Sequence, residues 1–92
     1  MIIKIDKNQL KYPTLFTIYV ARFYCLKKCS ERNSCNNKLI FCDKTIDLLK
    51  ELEIKTKVID NETVKVKEDI SKNIKELILE MYENKYIIKE IK

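Results

Sequence analysis

The chain of 92 residues contains no glycine, no histidine and no tryptophan, and a single proline. The first two absences remove most recognisable enzyme signatures. Loops that cradle phosphates in P-loop and dinucleotide-binding proteins need backbone positions that only glycine tolerates. Without histidine there is no Ser-His or Cys-His nucleophile pair, no zincin motif and no mixed Cys/His zinc finger. Long apolar runs are missing too. The longest, Leu15 to Leu26, has 12 residues with Arg22 inside it, short of the ~20 that a membrane-spanning helix requires. Ile2-Ile3-Lys4-Ile5-Asp6 is too short and too charged to read as a secretory leader. These features predict a cytoplasmic protein with no membrane partner.

What is present is a soluble, globular balance of 36% charged and 46% hydrophobic residues. The length suits one small domain covering residues 1–92. Charge divides that domain in two. Residues 1–42 carry eight basic and two acidic side chains, whereas residues 43–92 carry eleven and twelve. The net charge of +5 therefore resides in the first half.

That basic half holds every cysteine. Cys25, Cys29, Cys35 and Cys42 follow the spacing C-x3-C-x5-C-x6-C. Four thiolates complete the coordination shell of a structural zinc ion or of an iron–sulfur cluster. On a helix over 14–29, Cys25 and Cys29 stand at i and i+4 on one face, and the segment beyond returns Cys35 and Cys42. Arg22, Lys27, Lys28, Arg32 and Lys38 surround them against Glu31 alone. Positive neighbours lower thiol pKa values and offset the charge of four thiolates. The close C-x2-C pairs of a zinc ribbon are absent, which favours a [4Fe–4S] cluster over Zn2+. Over 11 residues, C-x3-C-x5-C resembles the cysteine runs of [4Fe–4S] domains in some DNA-processing nucleases and radical-enzyme auxiliary domains, which more often open with C-x2-C. Two alternatives stand beside a metal: two disulfides in one of three pairings, or buried thiols without a ligand.

Periodicity supplies the architecture. Residues 2–5 read as a strand, and Pro13 opens a helix running to 29, with a strand as the rival because β-branched and aromatic residues crowd 14–24. Residues 29–37 are polar and loop-like, and 38–42 read as a short strand or an extended lead. Asp43 caps a helix to about Glu53, with Ile46, Leu48, Leu49 and Leu52 as its buried stripe. Residues 54–58 and 63–67 alternate as a hairpin. Ile70, Ile74, Leu77, Ile78 and Met81 predict a helix over 70–83 packing on Val58, Val64 and Val66, ended by a left-handed Asn84 before a strand over 86–91. The fold class is α+β, in the order β-α-loop-(β)-α-β-β-α-β, with helices on one face of a mixed or antiparallel sheet.

No catalytic constellation emerges. Pairs such as Glu51/Glu53 and Asp60/Glu62 lack the shielded setting that general acid–base work needs. No small-molecule substrate is inferred. The expectation is an accessory module with a four-cysteine site and a protein partner, within a larger redox complex if the site holds iron and sulfur. A nucleic-acid partner is the alternative, since Tyr12, Phe16, Tyr19, Phe23 and Tyr24 interleave with basic residues. The simpler account of those aromatics is core packing. A disulfide-stabilised interaction protein is the third reading. The outward lysines of 54–67 fit an edge hairpin kept soluble.

Overall fold

Alternation of apolar and polar side chains builds the sheet. In β1 (Ile2–Ile5), Ile3 and Ile5 are buried while Ile2 and Lys4 are half-buried on the other face. In β3 (Thr63–Val66), Val64 and Val66 are fully buried and Lys65 points out. β2 (Thr56–Asp60) joins β3 through the turn at Asn61 and Glu62, and β4 (Ile88–Ile91) closes the sheet. The computed structural model describes residues 1–27 and 43–92.

The strands lie in the order β2-β3-β1-β4, each pair antiparallel. β1 and β2 therefore run parallel with β3 between them, and so do β3 and β4 with β1 between. These are two interlocked split β-α-β units, the ferredoxin-like connectivity. The described residues of the first crossover form α1 (Phe16–Lys27), entered through a 3-10 turn at Pro13–Leu15, and α2 (Asp43–Lys55). The second crossover is α3 (Lys72–Glu83). The order matches the sequence expectation. The optional strand over 38–42 lies outside the described residues.

One core joins the layers. Phe16, Val20 and Phe23 from α1, Leu52 from α2, and Ile74, Leu77, Ile78 and Met81 from α3 pack with Ile3, Ile5, Val64, Val66 and Ile88 of the sheet. Pro13 starts the first helix as its missing N–H allows. The strand alternative for residues 14–24 is thereby excluded. α1 is apolar on most sides, with Ile18 and Leu26 exposed opposite its buried side and Leu15 exposed in the turn before it.

Several local expectations are corrected. Val58 faces the helices in register with Val64, yet is 39% exposed because β2 is an edge strand beyond helix cover. Ile46 is exposed and Thr45 is buried in its place, so the inner face of α2 is turned by about one residue. Asn84 has φ −87 and takes no left-handed role; Lys85 and Ile87 do, at φ 55 and 54. The last strand consequently starts at Ile88 rather than at residue 86.

Candidate functional site

Cys25 is half-buried in the last turn of α1. Cys29, Cys35 and Cys42 lie outside the described residues, as do Lys28, Arg32 and Lys38. Among the described residues no three Cys, Asp or Glu side chains gather as metal ligands. The described helices fix where the cysteine segment leaves the fold and where it returns.

α1 and α2 pack against each other, and their direction follows from the side chains they share. Thr17 and Ile18, near the start of α1, line one shallow pocket with Glu53 in the last turn of α2 and Thr56, the first residue of β2. Tyr24, near the end of α1, lines another with Leu48 of α2 and Leu77 of α3. The helices therefore run antiparallel. The end of α1 that bears Cys25 lies at the same end of the molecule as the first turn of α2, and Cys42 immediately precedes that turn in sequence.

The described basic residues of this region, Arg22 and Lys27, are both exposed on α1. The guanidinium of Arg22 lies 5.9 Å from the centre of the Tyr19 ring, within cation–π range. Tyr19 and Phe23 in turn meet Tyr86 at 6.3 and 5.3 Å between ring centres. Burial pushes the Tyr86 phenol above its ordinary value, and the nearby Arg22 charge opposes that rise. The aromatics divide by depth. Phe16 and Phe23 are core, Tyr19 and Tyr24 are half-buried against it, and Tyr12 is 58% exposed beside Lys11. Basic residues and aromatics thus share α1, but the stacking surface that single-stranded nucleic acid needs is largely turned inward.

The carboxylates with shifted pKa values are all exposed, Asp60 at the end of β2 and Glu68 and Asp69 in the turn before α3. The Glu62 backbone N–H and the Thr63 hydroxyl hold Asp60 low. Lys55 does the same for Asp69 through a 2.9 Å contact. The N-terminal ammonium does so for Glu68, also at 2.9 Å. All three favour the ionised form, the opposite of a general acid.

Sequence reasoning missed the part played by Gln9. Its side chain bridges the turn after Asp6 to the strained turn before β4, and only the folded pairing of β1 with β4 makes that contact visible. No protein-family model, curated protein or solved structure matches the chain.

Proposed function

We propose that this chain is a small binding or accessory module built around one metal site of four cysteines, Cys25, Cys29, Cys35 and Cys42. The observation that carries this reading is the antiparallel pairing of α1 with α2. It sets Cys25 and the chain position following Cys42 at one end of the fold, as ligands of a common ion require. The fifteen positions between the described parts of α1 and α2 carry Cys29, Cys35 and Cys42. Arg22 and Lys27, exposed on the helix of Cys25, offset the charge of the thiolates.

A [4Fe–4S] cluster fits the spacing better than Zn2+, because the close C-x2-C pairs of zinc ribbons are missing. The role that follows is electron transfer or assembly with a protein partner in a larger redox complex. A reducing, cytoplasmic compartment keeps the thiols available as ligands.

The test is Cys35→Ser. Metal content and melting temperature should fall together, since metal binding and folding are coupled. Unchanged stability and metal content in the variant would overturn the site. Wild-type protein without titratable thiols before reduction would replace it with disulfides.

A further inference from the structure

Among the described residues the helices cover one face of the sheet, and Lys57, Lys65 and Lys67 are exposed on the other. Register places Lys57 of β2 directly opposite Lys65 of β3, and Lys65 directly opposite Ile2 of β1. The row continues to the far edge, where Ile2 and Lys92 exchange backbone hydrogen bonds of 3.0 and 2.8 Å. At inter-strand spacings of about 4.7–4.9 Å, this row is about 14 Å wide. Lys67 stands at the next position of the same parity along the chain of β3 and is exposed. Two acids are in register on this face, Glu90 opposite Lys4 and Asp60 opposite Thr63, and neither lies opposite the lysine pair.

Like charges directly opposite one another on neighbouring strands are destabilising. Neither Lys57 nor Lys65 makes a salt bridge or side-chain hydrogen bond among the described residues, whereas Lys55 is held by Asp69 and Lys4 by Thr63. Lysine on an edge strand is accounted for by protection against edge-to-edge pairing, and that explains Lys57. It does not explain Lys65, because β3 lies inside the sheet, between β2 and β1.

We propose that the open sheet face, through Lys57, Lys65 and Lys67, binds the phosphate backbone of nucleic acid. The lysines are compact point charges without the fork geometry that selects a carboxylate. Among the described residues no aromatic side chain is in register with them, so the contact is to backbone and independent of base sequence. A lipid surface fits less well, because membrane-surface binding adds a buried apolar face to its basic residues, and Ile2 is the one apolar side chain in the row. Register sets Lys57 and Lys65 on the sheet face opposite to Val64 and Val66, which pack with α1 and α3, so this surface is separate from Arg22 and Lys27 of α1.

Fluorescently labelled unstructured single-stranded and duplex DNA, titrated into the full chain across a salt series, provides the test. Binding should weaken steeply with salt. Lys57→Gln with Lys65→Gln should lower affinity at least tenfold and flatten the salt slope by roughly 0.7–0.9 for each phosphate no longer neutralised. Arg22→Gln with Lys27→Gln should leave both quantities unchanged. Lys57→Glu turns the like-charged pair into an attractive one, so its melting temperature should hold or rise while binding falls, which separates binding from folding. No wild-type binding at ~50 mM salt, where electrostatic association is strong, would overturn the proposal. So would loss of binding in the Arg22/Lys27 variant alone, or binding to phosphatidylserine vesicles without binding to DNA.

Discussion

Ile87 is a buried, β-branched residue at φ 54, a conformation that costs of order 1–3 kcal/mol and persists only when its surroundings enforce it. Gln9 is the enforcing group. Its Oε1 accepts the Ile87 N–H at 3.0 Å, while its Nε2 donates to the Lys85 carbonyl at 2.8 Å and to Asp6 at 3.1 Å. The Asp6 N–H donates to the Ile87 carbonyl at 2.8 Å. Gln9→Ala should therefore cost about 1–3 kcal/mol, the usual penalty when a shielded N–H loses its acceptor. Equilibrium denaturation checks this, and an unchanged midpoint would show that the turn holds without Gln9. Lys85, exposed at φ 55, makes the complementary case. Glycine removes the left-handed penalty and returns part of it as unfolded-state entropy. Lys85→Gly should thus stabilise by about 0.5–1 kcal/mol, read as a higher melting temperature. The sequence pointed to Asn84 for this turn because asparagine tolerates positive φ. The two residues that adopt it were illegible, since the choice is imposed by pairing between segments almost 80 positions apart.

The elements differ in how plainly their residues declare them. α3 presents one apolar stripe against a charged remainder, so Ile74, Leu77, Ile78 and Met81 announced both the helix and its buried face. Leu77→Ala or Ile74→Ala should cost about 2–5 kcal/mol, as for other emptied aliphatic positions. A loss below about 1 kcal/mol by denaturant titration would mean that α3 is not the main prop of the sheet. α1 carries less contrast, being apolar on most sides, and a strand competed with it on composition alone. The starting residue Pro13 and the length of the run decide for helix. In α2, Thr45 replaces Ile46 inside and Leu49 is only half-buried. Its inner face was misjudged because contact with α1 turns it slightly. The pairing of β3 with β1, which aligns Lys65 with Ile2, is a non-local register that hairpin periodicity leaves open.

Across the whole molecule, charge and cysteine were legible as a basic first half with four thiols, and the α+β order was readable from periodicity. The two split β-α-β units arise only when β3 docks between β1 and β2 and β4 docks beside β1. Electrostatics at this scale predict the acid response. Asp60, Glu68 and Asp69 have folded pKa values depressed by the hydrogen bonds and cations around them. Each contributes stability that is present above its unfolded value of about 3.9–4.3 and is lost as pH falls through its lower folded value. Melting temperature should be level near neutrality and decline below about pH 4, with Asp69→Asn reducing the decline. All three groups are exposed, so added salt should shrink the effect. A melting temperature independent of pH down to about 3 would contradict these pairings.

The four-cysteine site is the centre of the account, and its most direct test is the metal and acid-labile sulfide content of the full chain purified without oxygen. The account predicts about four irons with sulfide, or about one zinc, per chain. Protein free of metal and sulfide, with its full complement of titratable thiols and the same melting temperature after reconstitution with iron and sulfide or with zinc, would contradict it.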